Sequence, residues 1–182
     1  MADPLILALG GTRSGKSRFG LATAIRLAGD AGRVWFLATA WSGDPELDDR
    51  IVRHRAARPS SWPTIEVGTD LVAALAATAP EEPVLIDGFT LWLSGLLGDD
   101  APAIDPILDG PVAAGLAAIA GRPGPVVVVS DEVGSGIVPI HPGARAYRDL
   151  VGIAHQRLAA LADEVYLLVA GLPVTLKGGG AQ

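Results

Sequence analysis

The sequence predicts a three-layer α/β domain with a mostly parallel sheet and an antiparallel edge. Three observations predict it. Short apolar, β-branched runs recur along the chain, and Ala/Leu/Arg-rich stretches of helical length separate them. The first four runs are apolar throughout rather than alternating, as expected of strands covered on both faces. Hydrophobic residues make up 49% of the 182 and charged residues 19%, which is enough apolar material for two covered faces. A length in the roughly 100–200 residue range of one domain makes residues 1–182 a single unit.

The strands are expected at Leu5–Leu9, Val34–Thr39, Val84–Asp87, Val126–Ser130 and Val165–Val169, with Val174–Lys177 as the edge. Helices are expected at Lys16–Leu27, Glu46–Arg58, Leu71–Ala77, Thr90–Leu97, Val112–Ile119 and Ala144–Ala162. Strand and helix alternate, so the connections are crossovers and the strands lie parallel. Ligands of such sheets bind at the carboxyl ends of the strands.

Composition excludes several function classes. With 14 Lys and Arg against 20 Asp and Glu, the net charge is -6, which argues against a nucleic-acid partner. There is no cysteine, so disulfides, thiolate metal sites and a cysteine nucleophile are excluded. No apolar run approaches the ~18 residues of a membrane span, and the first residues lack the basic start of a signal peptide. A soluble, cytoplasmic protein is the expectation.

The first strand runs directly into Gly10, Gly11, Thr12, Arg13, Ser14, Gly15, Lys16 and Ser17. This is G-x-x-x-x-G-K-[ST] between a strand and a helix, the P-loop context. Glycines let the backbone wrap a phosphate, and the helix that follows adds its positive end. Lys16 can reach the β/γ-phosphates and the Ser17 hydroxyl can hold Mg²⁺. A P-loop also calls for an acidic residue at a neighbouring strand end. Asp87 is the candidate, with helix capping near Thr90 as its alternative role.

Four basic residues of this acidic chain fall in one stretch, Arg50, Arg53, Arg55 and Arg58, around His54. On a helix Arg50, His54 and Arg58 share one face. Pro59 disfavours helical geometry at Arg58 and ends the segment. Like charge disfavours a protonated imidazole, leaving it neutral and nucleophilic, while guanidinium groups bind phosphate oxygens. Those are the needs of a histidine that carries a nucleotide phosphate covalently. The same spacing also describes a solvated basic face with an incidental histidine. His155 reads as structural, and His141 falls in a loop.

Val126–Ser130 leads into Asp131, Glu132, Val133, Gly134, Ser135 and Gly136. Asp131 or Glu132 can act as a base or organise the water of a Mg²⁺ ion; a polar turn opening a crossover is the alternative. Arg145 and Arg148 either bind phosphate or pair with Asp149.

Three segments together resemble the bifunctional adenosylcobinamide kinase / adenosylcobinamide-phosphate guanylyltransferase family of cobalamin biosynthesis. They are GGTRSGKS at Gly10–Ser17, RIVRHRAARPSSWPTIE at Arg50–Glu66 and SDEVGSGIVP at Ser130–Pro139; the tail His155–Lys177 is similar too. The resemblance implies a P-loop NTPase-like (RecA-like) domain that assembles as a homotrimer. It implies phosphorylation of adenosylcobinamide with ATP or GTP, then transfer of GMP from GTP to adenosylcobinamide phosphate. By residue match His54 is the guanylylated nucleophile and Lys16 the second catalytic residue. Gly10 to Ser17, Ala38, Thr39, Ala40, Arg55, Ala56, Ala57, Arg58, Glu66 and Asp87 line the nucleotide site, with Ser17 and Asp87 toward Mg²⁺. Arg53 stands where the family can have a second histidine, Asp87 where some members have Glu, and Pro63 interrupts the W-x-T-[IV]-E stretch. Two other readings are a P-loop kinase of another small hydroxylated substrate, which leaves the His54 cluster without a role, and a nucleotide-binding regulatory module.

Overall fold

The protein is described from a computed structural model covering residues 3–29, 32–39, 58–98 and 103–178. A seven-stranded sheet has the order β3-β2-β4-β5-β1-β6-β7. Its strands are β1 (Leu5–Gly10), β2 (Trp35–Ala38), β3 (Thr64–Glu66), β4 (Val84–Asp87), β5 (Val126–Asp131), β6 (Glu164–Val169) and β7 (Leu172–Lys177). All neighbours pair parallel except β6 and β7, which form the antiparallel edge. Among the described residues the α-helices are α1 (Lys16–Ala28), α2 (Leu71–Ala76), α3 (Phe89–Leu97), α4 (Asp105–Ile107), α5 (Ala113–Ala120) and α6 (Pro142–Leu161).

Alternate residues of each central strand feed two separate cores. Leu5, Leu7, Val84, Ile86, Val126 and Val128 face one layer, with Trp92 and Leu93 of α3, Leu116 of α5 and Leu150 and Leu158 of α6. Ile6, Ala8, Leu85, Val127 and Val129 face the other, with Ala24 and Ala28 of α1. This is the three-layer arrangement, and it explains why the strands are apolar at every position.

Differences from the expected elements have local causes. β3 was not expected, because Thr64–Glu66 is a three-residue edge strand after Pro63, with no apolar run to announce it. Pro63 itself is accommodated, since its carbonyl accepts from the Phe36 N–H at 2.9 Å. The helix expected to begin at Val112 continues a helical path from residue 105. Gly110 and Pro111 read as breakers, yet Leu108–Val112 widens into a π turn around them. Arg157 then donates to the Leu108 carbonyl at 2.7 Å. α6 starts two residues early because Pro142 suits the first helical turn. Of the helix expected at Glu46–Arg58, only Arg58 belongs to the described residues, in a bend.

Candidate active site

Strand register sets out the site before any side chain is considered. Ala38 of β2 pairs with Glu66 of β3 on one side and Asp87 of β4 on the other. Three sequence-predicted residues therefore lie in one row at the carboxyl edge. On the far side of β4, Gly10 of β1 pairs with Asp131 of β5. The P-loop thus leaves the sheet beside Asp131.

The loop is held by backbone conformation. Gly15, the N-cap of α1, has φ 97, and a Cβ there would lie 3.0 Å from the Gly171 Cα. Only glycine meets both demands cheaply. Gly171 belongs to the β6–β7 turn, where Ala170 (φ 53) and Gly171 (φ 83) are both left-handed. Its N–H donates to the Ser14 carbonyl at 2.8 Å, so the antiparallel edge braces the P-loop.

Lys16 is buried, with its Nζ 2.6 Å from Asp131 Oδ1 and 3.1 Å from the Gly11 carbonyl. Asp131 Oδ2 accepts from the Thr90 hydroxyl at 3.1 Å. The Thr90 carbonyl in turn accepts from the Tyr147 hydroxyl at 3.2 Å, and burial pushes that phenol up and keeps it protonated. Ser17 donates to Asp87 Oδ1 at 3.3 Å, so the Asp87 carboxylate faces the P-loop, and α3 starts on Gly88 without a side-chain cap. Thr39 is fully buried; its hydroxyl reaches the Gly88 carbonyl at 2.6 Å and that of Asp87 at 3.0 Å, fixing the end of β4 from below.

Arg58 lays its guanidinium over the Phe36 ring, 3.8 Å from the centroid. Glu66 is exposed at the end of β3. Thr12 and Arg13 are exposed on the P-loop, Arg13 with φ 57. Ala40, His54, Arg55, Ala56 and Ala57 lie outside the described residues.

The two carboxylates at the end of β5 separate clearly. Asp131 faces Lys16, whereas Glu132 turns back to accept from the Gly134 and Ser135 N–H groups at 2.7 and 3.3 Å. Burial would push the Glu132 carboxyl up; hydrogen bonds from Ser135 and the Gly134 backbone outweigh it and hold the group below the usual carboxylate range. Arg145 and Arg148 do not meet Asp149 in these contacts. Arg145 donates to the Pro139 and Ile140 carbonyls, and Arg148 to those of Ile137 and Gly134. They staple the loop that follows β5.

Sequence reasoning missed Thr90, Tyr147 and Gly171 as parts of the site's support. Nothing in their spacing marks them, because their partners lie 41 to 157 positions away. His155, which reads as structural in the sequence, contacts Ser130 and Phe89. Its Nε2 lies 2.7 Å from the Ser130 hydroxyl and its ring stacks 6.5 Å from Phe89. Burial lowers its pKa from 6.5 to about 4, against a smaller opposing pull from Glu132 and Asp131. Between those values the unfolded chain takes up a proton that the folded chain refuses. Stability therefore falls as pH drops from 6.5 toward 4, by an amount on the order of 2 kcal/mol. Urea unfolding of the wild type and His155→Gln at pH 7 and pH 4.5 checks this. The gap between the two should narrow at the lower pH, and a constant gap would contradict it.

Comparison with known proteins agrees with this geometry. The family described as "Cobinamide kinase / cobinamide phosphate guanyltransferase" matches residues 6–176. A bifunctional adenosylcobalamin biosynthesis protein, CobP, of Pseudomonas aeruginosa is 44% identical over 94% of this chain and 96% of its own. CobU proteins with the same description from Salmonella typhimurium and Escherichia coli are 39% and 38% identical, each over 95% of this chain and 99% of theirs. Among solved structures, a KaiC-like protein from Pyrococcus horikoshii OT3 superposes with a TM-score of 0.50 at 12% identity, covering 91% of this chain and 71% of that one. That likeness concerns the fold alone, an α/β three-layer P-loop-like sheet. A P-loop at the carboxyl edge of a mostly parallel sheet, with relatives matching end to end, places the chain in the cobinamide kinase / cobinamide phosphate guanyltransferase family.

Proposed function

We propose that the chain acts as one domain over residues 1–182 and performs both family reactions. It phosphorylates adenosylcobinamide with ATP or GTP and transfers GMP from GTP to adenosylcobinamide phosphate. The observation that carries this reading is the convergence of Lys16, Ser17, Asp87 and Asp131 on the P-loop of a chain from this family. Family membership disfavours both a kinase of unrelated substrates and a regulatory module.

In the first reaction the acceptor hydroxyl loses its proton to solvent and its oxygen bonds to the γ-phosphorus. The bond from that phosphorus to the β-bridging oxygen breaks, and a nucleoside diphosphate leaves. Lys16, released from Asp131, offsets charge on the transferring group, and P-loop N–H groups at the start of α1 hold the phosphates. In the second reaction an imidazole nitrogen of His54 bonds to the α-phosphorus of GTP and pyrophosphate leaves. The phosphate oxygen of adenosylcobinamide phosphate then displaces the imidazole, giving adenosylcobinamide-GDP.

Mg²⁺ fits the residues present. Ser17 Oγ and Asp87 Oδ1 are hard oxygen donors 3.3 Å apart at the P-loop. Among the described residues no three His, Cys, Asp or Glu side chains cluster as a metal cage. One carboxylate, one hydroxyl and substrate phosphates are what Mg²⁺ commonly takes. When bound, it would supply positive charge to the phosphate oxygens. Among the described residues no helix is long and apolar enough to cross a membrane. A cytoplasmic location is part of this proposal. A homotrimer is proposed from the family resemblance.

GTP labelled at the α- or the γ-phosphate, incubated with adenosylcobinamide, tests the reading. Label from the γ position should reach the corrinoid first. Label from the α position should pass through an acid-labile, alkali-stable bond on the protein and end in adenosylcobinamide-GDP. Absence of γ transfer to adenosylcobinamide would sink the proposal.

A further inference from the structure

We propose that Asp131 is a built-in competitor of the nucleotide phosphates for Lys16, one that weakens nucleotide binding and speeds nucleotide release. The inference rests on the P-loop reading above. Lys16 is not waiting free in the loop. Its side chain is 6% exposed and its ammonium sits 2.6 Å from Asp131 Oδ1, with the Gly11 carbonyl as a second acceptor at 3.1 Å. A phosphate that recruits Lys16 must therefore displace a carboxylate already bound to it.

The carboxylate cannot follow the lysine. It sits at the end of β5, in register with Gly10, and its other oxygen is fixed by the Thr90 hydroxyl. Thr90 is itself 1% exposed, on the first turn of α3, with its carbonyl tied to Tyr147. Lys16 has a flexible stem, so it is the member of the pair that moves. Once it has moved, a fixed anion is left beside a polyanionic ligand. Both the broken pair and the like-charge contact oppose binding, and both favour return of Lys16 to Asp131 as nucleotide departs. Glu132 cannot take this role, because its oxygens are engaged by its own turn.

Asp131→Asn tests this, because it keeps an acceptor for Thr90 and the side chain's shape while removing the charge. Binding of GDP is measured by calorimetry in EDTA, so that no divalent ion contributes, and dissociation is followed by stopped flow with a fluorescent GDP analogue. The expected result is a Kd roughly tenfold tighter, carried mainly by slower dissociation. Asp131→Ser, which also removes the charge, should shift both quantities the same way. In thermal unfolding the rise in Tm on adding GDP should be larger in both variants than in the wild type. A purely structural role gives weaker binding instead. Unchanged or weaker GDP binding in EDTA overturns the proposal. The binding readout needs no corrinoid, so it is separate from the γ-transfer test of the proposed activity.

Discussion

Replacing His54 by alanine is expected to remove the α-phosphate label from the protein and to lower GMP transfer by roughly 10⁴–10⁶-fold, the scale seen when a covalent nucleophile is lost. The ratio of α- to γ-label transfer should collapse, because the covalent step belongs to one reaction and not to the other. The chain has three histidines, so the assignment can be checked against the remaining two. His155 has its Nε2 engaged with the Ser130 hydroxyl and its ring against Phe89. His141 is exposed and opens α6 as its N-cap. Gel autoradiography of protein incubated with α-labelled GTP, after alkaline and acid treatment, reads the outcome. Undiminished alkali-stable label on His54→Ala would move the nucleophile elsewhere.

Lys16→Ala should reduce kinase turnover by roughly 10²–10³-fold, the usual effect of removing one donor aimed at charge that develops in the transition state. The measurement is steady-state phosphorylation of adenosylcobinamide at saturating nucleotide. The loss should fall on kcat more than on the KM for the acceptor, since Lys16 is buried in the P-loop against Asp131 and the Gly11 carbonyl. Circular dichroism separates this from unfolding, because the substitution also leaves Asp131 without its ammonium partner. Kinase turnover near the wild-type level would remove Lys16 from the mechanism.

The P-loop was legible because its physics is local. A strand, a glycine-rich turn and a helix start are contiguous in the chain, so spacing alone specifies where a phosphate would be held. The central strands were legible for a similar reason, since two-sided burial makes β1, β4 and β5 apolar at every position. Thr64–Glu66 was not legible as a strand. Its pairing with β2 is decided by a neighbour far along the chain and not by its own three residues. Likewise the helical path through Gly110 and Pro111 depends on a π turn and on a side chain from α6.

By itself the sequence determined the fold class, the phosphate-binding loop, the candidate acid at Asp87 and the histidine among arginines, because each is written in adjacent residues or in a family-wide likeness. Tertiary structure alone decided which carboxylate at the end of β5 meets Lys16. Asp131 and Glu132 are neighbours of similar chemistry, and no spacing rule separates them. The parallel register of β1 with β5 sets Asp131 opposite Gly10, and Thr90 from another helix fixes its second oxygen. That choice is made by strand pairing and packing between distant segments, which is information a linear pattern does not carry.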